Sequence, residues 1–171
     1  MSRNNHNTII LYLLLTVVLI CFSCNRQNVY SHYVSTPIEG WSCYDSVRFE
    51  MGPVIQGTVF HEELSLRTTS HYPYTHLSLV VRQQVLPSGP LRCDTVTFAL
   101  TDNNGNTTGT GVTHQSYTMA LTPVQLANGE RLSVTISHNM KTENIPGITE
   151  VGVTLHPYSV SSRIDSKEDK Q

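Results

Sequence analysis

The chain has 171 residues, and its formal net charge at pH 7 is −2. This charge balance argues against nucleic-acid binding, which requires a strongly basic surface. Charged residues make up only 14% of the chain, whereas Thr, Ser, Val and Leu are plentiful, a composition that suits strands better than helices.

An apolar segment lies close to the N-terminus, from Ile9 to Phe22. At about 14 residues it matches the core of a secretion signal and is too short to cross a hydrocarbon layer of roughly 30 Å as a helix. Arg3 and the terminal amine supply the positive charge expected ahead of such a core. Residues 1–23 are therefore predicted to be a signal peptide.

Cys21 and Cys24 lie near the C-terminal end of this segment, and one of the two has the sequence context of a lipidation site. Cys24 follows the small residue Ser23, whereas Cys21 follows the bulky Ile20. Phe22-Ser-Cys24 resembles the lipobox of bacterial lipoproteins, in which the cysteine thiol takes a diacylglyceryl group and the chain is cut just before it. We predict lipidation at Cys24, with an ordinary signal peptide cut elsewhere or an uncleaved anchor as alternatives.

The mature chain is predicted to begin with a spacer and to continue as one folded domain. Residues 24–40 are polar with scattered aromatics and are assigned to the lipidated N-terminus and spacer. From residue 41 the chain alternates apolar and polar side chains, the period of a half-buried strand. The alternation is clearest in 47–51, 64–67, 95–101, 132–137 and 151–156, with a more continuously apolar, central-type strand at 76–81.

Turn signals separate these runs, among them Asn104-Gly105 and Asn128-Gly129. Many short strands at this spacing predict an all-β fold, a single β-sandwich of jelly-roll or immunoglobulin-like type over residues 41–158. One helical turn is predicted over Pro123–Ala127. The polar, mixed-charge tail, 159–171, is predicted to be disordered.

Cys43 and Cys93 remain once Cys21 and Cys24 are assigned. An even pair in an exported domain permits a disulfide. However, Cys43 shares strand parity with Val47, while Cys93 has the opposite parity to Val96, so a bridge would need a bulge or a bend. A disulfide and a pair of buried free thiols both remain open.

The sequence offers no convincing metal or cofactor site. Its eight histidines include no short pair at common zinc spacing and no adjacent thiol motif. Asp102-Asn-Asn-Gly-Asn106 resembles the opening of a calcium loop, but Thr107 and Thr113 stand where glycine and an acid are required. A polar hairpin tip explains this segment, and no metal and no cofactor are predicted.

Catalytic motifs are also missing from the sequence. It has no Gly-x-Ser-x-Gly elbow and no phosphate-binding glycine loop, and Glu62 and Glu63 would face opposite sides of a strand. We therefore expect no catalytic residues, no enzymatic activity and no small-molecule substrate. One aromatic cluster is a candidate binding surface: Tyr72 and Tyr74 with His71 and His76. It could stack on sugar rings or anchor a partner, or could be packing under a loop.

An ordered set of landmarks runs along the chain after the lipobox. They are Trp41, Asp45-x-x-x-Phe49, Leu66-Arg67, Tyr72-Pro-Tyr74 followed by Leu77, Asp94-Thr95, Asp102-x-x-Gly105, Gly109-x-Gly111, Met140-Lys141 and Gly147-Ile-x-Glu-Val-Gly152. Taken together, they resemble the gliding-motility lipoprotein GldH family of Bacteroidota over residues 24–157. Gly105-Asn-Thr-Thr-Gly109 departs from the family pattern by lacking an aromatic residue.

The resemblance implies a non-enzymatic outer-membrane lipoprotein, an accessory component of the gliding machinery that is associated with type IX secretion. Its partners would be the membrane, through the lipid on Cys24, and envelope proteins of that machinery. No acidic run follows Cys24, which favours the periplasmic face over surface export. The alternatives are a module that binds glycan or peptidoglycan through Tyr72 and Tyr74, and a hydrolase, which would need a cleft with convergent polar groups.

Overall fold

The computed structural model describes residues 30–158, which form eleven β-strands. Within this range no helix is long and apolar enough to span a membrane. The strands are β1 (Tyr30–Ser35), β2 (Trp41–Ser42), β3 (Val47–Met51), β4 (Thr58–Thr68), β5 (His76–Leu86), β6 (Leu91–Ala99), β7 (Gln115–Ala120), β8 (Val124–Leu126), β9 (Arg131–His138), β10 (Asn144–Ile145) and β11 (Ile148–Pro157).

Two antiparallel sheets enclose the core. The first has the order β1-β11-β4-β7, with β8 also paired to β4, and the second has the order β3-β9-β5-β6. A short ladder joins β2 to β10. The inner faces of both sheets contribute to a single apolar cluster. The predicted all-β sandwich is confirmed.

Alternation explains how the sequence selects these strands. In β3, Val47, Phe49 and Met51 are buried, while the residues between them are exposed. β5 repeats this pattern and lies between β9 and β6, which confirms the central strand predicted at 76–81. Burying one such Leu, Val or Phe side chain stabilises the fold by roughly 1.5–3 kcal/mol.

β1 corrects the predicted domain boundary. The sequence predicts a spacer over residues 30–35, but they pair with β11 from Tyr30 opposite Leu155 to Ser35 opposite Glu150. Their side chains are half-buried or exposed, so the strand lacks the apolar alternation by which strands are recognised. Backbone pairing stabilises it, and the Tyr33 ring lies directly over Gly152.

The helical turn predicted over Pro123–Ala127 is wrong, because Val124–Leu126 forms the strand β8. Val124 and Leu126 are buried and Gln125 between them is exposed, which is the period of a strand. The segment is short enough to fit either structure locally, and pairing of Val124 with Phe60 and of Leu126 with Thr58 in β4 decides the outcome.

Gly147 ties the β4–β5 turn to the start of β11. Its φ is +80°, and a Cβ there would lie 2.3 Å from the backbone nitrogen of Tyr72. Thr69 N–H also donates to the Gly147 carbonyl at 2.8 Å. Gly147→Ala is therefore expected to lower the free energy of unfolding by at least about 2 kcal/mol, combining left-handed strain with a clash that only backbone movement relieves. Chemical denaturation measures this loss.

Gly105 provides the matched control for that substitution. Its φ is +83°, but nothing lies within 4 Å of the position that a Cβ would take. Gly105→Ala should cost only about 1 kcal/mol, the strain of the left-handed conformation alone. Equal losses in the two variants would show that the close approach of the Tyr72 backbone adds no cost to a side chain at residue 147.

Candidate functional site

The predicted aromatic cluster lies in the turn between β4 and β5. The Tyr72 and Tyr74 rings meet edge to face, with centroids 5.6 Å apart, and both are half-buried against the core. Tyr72 Oη donates to the His76 carbonyl at 2.8 Å, and Tyr74 Oη lies 2.8 Å from Thr142 Oγ1. Burial, reinforced by the nearby Tyr74, raises the pKa of Tyr72. These contacts fix the turn, and the edge of one ring covers a face of the other.

The two histidines of the cluster are exposed. His76 Nδ1 lies 3.3 Å from Thr75 Oγ1 on its own turn, whereas His71 lines a cleft formed by neighbouring loops. The structure therefore separates the four predicted residues: the tyrosines serve as packing, and His71 alone borders a larger depression.

The sandwich has two distinct ends. The end at which β1 begins is called the entry end. It carries Tyr30, Tyr158 and the short connections 52–57, 87–90 and 127–130. The opposite, far end carries the longer connections 36–46, 69–75, 100–114 and 139–147. Because loops are where most binding residues lie, the far end is the better candidate for a recognition surface.

A cleft of about 970 Å³ opens at the far end. Arg67 lies on its wall, where it contacts Glu150 at 2.7 Å and stacks over the Tyr33 ring at 5.2 Å. Ile38 and Val112 also line the cleft and are almost fully exposed, at 97% and 98%. Apolar side chains beside an ordered arginine are typical of protein interfaces.

A second cleft, of about 830 Å³, opens at the entry end. Met51 and Phe60 are buried beneath it, and Tyr30 and Tyr158 border it. Ile55 stands on its rim and is 87% exposed. No sequence pattern predicted either cleft, because each is built from loops that are far apart in the chain.

Glu62 is the buried charge that sequence reasoning missed. It faces the core from β4, only 1% exposed, and its Oε2 accepts a 2.6 Å hydrogen bond from Gln83 Nε2 on β5. Burial raises the pKa of Glu62 from 4.5 to about 7, against the smaller lowering effects of the Gln83 bond and the Arg92 charge. The residue borders neither cleft, so a role in stability fits it better than acid–base chemistry.

The polar tip at Asp102 is saturated by its own loop. Asp102 Oδ1 accepts from the backbone nitrogens of Asn104 and Asn106, both at 2.8 Å, and Oδ2 accepts from Asn106 Nδ2 at 3.1 Å. The Asn106 side chain is the main cause of the lowered pKa of Asp102. These bonds support a hairpin tip. Within residues 30–158, no group of three or more His, Cys, Asp or Glu side chains is placed to hold a metal ion.

Cys43 and Cys93 are both free in the structure. Cys43 follows β2 and is half-buried, whereas Cys93 lies on the edge strand β6 and is exposed. The disulfide that the sequence left open is therefore not formed. The alternative, a pair of buried free thiols, is right that the thiols are free but wrong that they are buried. Cys24, the predicted lipidation site, lies outside the described residues.

The ordered landmarks of the sequence fall largely on the framework of the fold. Trp41, Phe49, Leu66, Leu77 and Val151 are all buried in the core. Trp41 Nε1 also donates to the backbone carbonyl of Asp45 at 3.3 Å. These five landmarks are therefore part of the core of the β-sandwich.

Comparison with known proteins identifies this sandwich as belonging to a class of envelope lipoproteins. The GldH lipoprotein family model matches residues 28–155. The chain belongs to the GldH lipoprotein family, which confirms the resemblance found in the sequence.

Two relatives in this family are informative. The gliding motility lipoprotein GldH of Flavobacterium johnsoniae is 29% identical over 102 residues, which cover 59% of this chain and 62% of that protein. The GldH homolog of Christiangramia forsetii is 24% identical over 153 residues, which cover 84% of this chain and 93% of its own. The match to the first thus spans less than two thirds of its length. The role in gliding motility is part of the names of these two relatives.

Solved structures add little to this. The Cry4Aa toxin of Bacillus thuringiensis aligns with 75% of this chain and 21% of its own length, at 11% identity and a TM-score of 0.42. A likeness this low carries no information about function.

Proposed function

We propose that the protein is a non-enzymatic accessory lipoprotein of the outer membrane, anchored through Cys24 and facing the periplasm. There it would dock onto other proteins of the gliding machinery and assist the associated type IX secretion. The observation that carries this proposal is the opposition of the two ends: the chain enters the sandwich at the entry end, and the long loops lie at the far end.

The covalent reach of the chain supports this orientation. Only residues 25–29 separate Cys24 from Tyr30, and an extended chain spans at most about 3.6 Å per residue, or roughly 20 Å here. The ten residues of β11 run from the far end to the entry end, and at about 3.3 Å per residue they span roughly 33 Å. A lipid on Cys24 would hold the entry end near the membrane and leave the far end accessible to proteins.

The chemistry of the far cleft suits a protein partner. Ile38 and Val112 offer apolar surface that no other part of the described chain covers. Arg67 is held in place by Glu150 and Tyr33, so it would lose little conformational freedom on binding. Arginine is enriched at protein interfaces, and a fixed arginine beside apolar contacts favours protein recognition.

The glycan-binding alternative is less well supported. Stacking on a sugar requires a free ring face, but Tyr72 and Tyr74 pack edge to face, and their hydroxyl groups are already hydrogen-bonded within the fold. Neither ring lines the far cleft. The hydrolase alternative lacks support as well, because the buried Glu62 lies away from both clefts.

The docking proposal is tested by placing charge on the far cleft. The double substitution Ile38→Arg and Val112→Arg should reduce recovery of envelope partners at least about tenfold, because unpaired charge is costly in an apolar contact. Affinity capture from detergent-solubilised envelopes, with cross-links mapped by mass spectrometry, measures recovery and locates the contact.

Ile55→Arg is the control for the effect of a single added charge, since it places one arginine at another largely exposed isoleucine, at the other end. Because capture is made in detergent, where the entry end meets no bilayer, this control should leave partner recovery unchanged. Capture by the double variant at the level of the unmodified protein would rule out the far cleft as the docking surface. Cross-links that map only to the entry end would do the same.

A further inference from the structure

Two of the three connections at the entry end are uncharged and present or adjoin exposed apolar residues, while the third, 127–130, carries Glu130. The segments Gly52-Pro-Val-Ile-Gln-Gly57 and Pro87-Ser-Gly-Pro90 contain no Asp, Glu, Lys or Arg. Ile55 is 87% exposed at the tip of the first, and Leu91 is 65% exposed just after the second. Both connections lie at the same end, because Met51 pairs with Leu132 and Leu86 pairs with Arg131 on β9.

Ile55 is presented by a well-ordered loop. Val54 N–H donates to the Glu130 carbonyl at 3.0 Å, and Gly129 N–H donates to the Val54 carbonyl at 2.9 Å. Val54 itself packs on the core, while the next residue points away from it. These two hydrogen bonds fix the backbone of the loop, so presenting Ile55 to a binding partner requires no further ordering of that backbone.

The position of the anchor indicates what would cover this surface. With the lipid on Cys24, the five intervening residues keep Tyr30 within roughly 20 Å of the acylated cysteine. Tyr30 and Tyr158 border the entry cleft beside Ile55, and tyrosine is enriched where proteins meet the membrane interface. The connections 52–57 and 87–90 would carry no charged side chain into that interface, so these two segments impose little charge desolvation.

We propose that the entry end is a membrane-contact surface, with Ile55 and Leu91 inserted into the interfacial region of the bilayer. This inference rests on the lipid anchor of the proposed function. It adds that the short loops of the entry end contact the bilayer, so that the far cleft is directed away from the lipid. The lipid would then attach the protein, while the loop contact would fix its tilt.

A probe at residue 55 tests the contact. The full-length lipid-bearing protein carries Ile55→Cys with Cys43→Ser and Cys93→Ser, and the new thiol is labelled with an environment-sensitive fluorophore. The protein is reconstituted into vesicles of phosphatidylethanolamine and phosphatidylglycerol, with and without brominated acyl chains. The expected result is a blue-shifted emission that brominated lipid quenches severalfold and that aqueous iodide quenches poorly.

The matched control carries the probe at Ile38→Cys, an exposed isoleucine at the far end. Brominated lipid should not quench its emission, whereas aqueous iodide should quench it fully. A probe at Leu91→Cys should behave like the one at residue 55. Vesicle flotation and the intact mass of the protein establish anchoring before the optical measurements.

Three outcomes would overturn the proposal. Protein that floats with a probe at residue 55 unaffected by brominated lipid would remove the contact while leaving the anchor intact. Protection from iodide that rises with protein density but not with brominated lipid would identify a second copy as the occupant. Protein that fails to float would remove the anchor and the contact together.

Discussion

Replacing Cys24 by alanine is expected to abolish the lipid-bearing mature form of the protein. The unmodified protein should float with vesicles and show the mass of a chain that begins at an acylated Cys24. The Cys24→Ala variant should lose that mass and disappear from the outer-membrane fraction. Intact-mass spectrometry and flotation of fractionated envelopes measure both changes.

The size of this effect follows from the free energy of the acyl chains. Each buried methylene contributes roughly 0.8 kcal/mol to membrane binding, so two or more chains make attachment effectively permanent. Contact through Ile55 and Leu91 buries far less apolar surface and would orient the protein without holding it. Loss of Cys24 therefore outweighs any substitution at the entry end.

Cys21→Ala is the matched control, since it removes the neighbouring thiol and keeps the Ser23-Cys24 context. It should be processed and anchored as before. A second variant replaces residues 1–24 with a signal peptide lacking cysteine, and its product should be soluble in the periplasm. If Cys24→Ala left the protein trimmed as before and still firmly bound to membranes, lipidation at Cys24 would be refuted.

The alternation of side chains predicted most of the framework. β3, β5 and β9 were recognisable because each buries one face, and a half-buried strand carries that periodicity in its sequence. β1 and β8 were not recognisable. β1 is half-exposed and is stabilised through backbone pairing with β11, and three residues of β8 are too few to distinguish a strand from a turn.

The candidate sites were harder to predict, for a related physical reason. Ile38, Arg67 and Val112 come together only because β1, β4 and the β6–β7 loop end on the same side. No local pattern records which connections meet. The Tyr72 cluster shows the opposite case. Its aromatic residues and histidines predict a binding surface from the sequence, but in the structure the tyrosines mainly pack a turn.

The Glu62–Gln83 pair is a third case. The sequence correctly indicated that Glu62 and Glu63 face opposite sides, but only the packing of β4 against β5 reveals that Glu62 is the one inside. Glu62 Oε1 and Gln83 Oε1 are buried without hydrogen-bond partners among the described residues. Both atoms are acceptors when the carboxyl is ionised, so a proton on Glu62 supplies the missing donor.

This arrangement makes the stability of the fold depend on pH. The pKa of Glu62 is about 7 in the folded protein and 4.5 for an exposed carboxyl. Between these values the folded state holds a proton that the unfolded state has released, so stability falls as pH rises. By about pH 8 the penalty reaches about 3 kcal/mol, since one unit of pKa corresponds to about 1.4 kcal/mol.

Glu62→Gln is therefore expected to stabilise the protein by up to about 3 kcal/mol near pH 8 and to change little near pH 4.5. The amide keeps an acceptor for Gln83 Nε2 and adds a neutral donor for Gln83 Oε1. Chemical denaturation of both proteins across this range measures the difference in free energy of unfolding. Burial lowers the pKa of His138, so acid destabilises the fold through that residue, but both proteins share this effect and it cancels.

Glu63→Gln is the matched control, because it makes the same change one residue away on the opposite, less buried face of β4. Its effect on stability should be small and should not follow the same pH curve. A difference between Glu62→Gln and the unmodified protein that stays constant from about pH 4.5 to about pH 8 would show that folding does not raise the pKa of Glu62, so that the buried carboxyl is ionised over most of this range. The carboxylate would then have to be compensated inside the sandwich, and Arg92, whose positive charge already lowers the pKa of Glu62, would be the residue to substitute next.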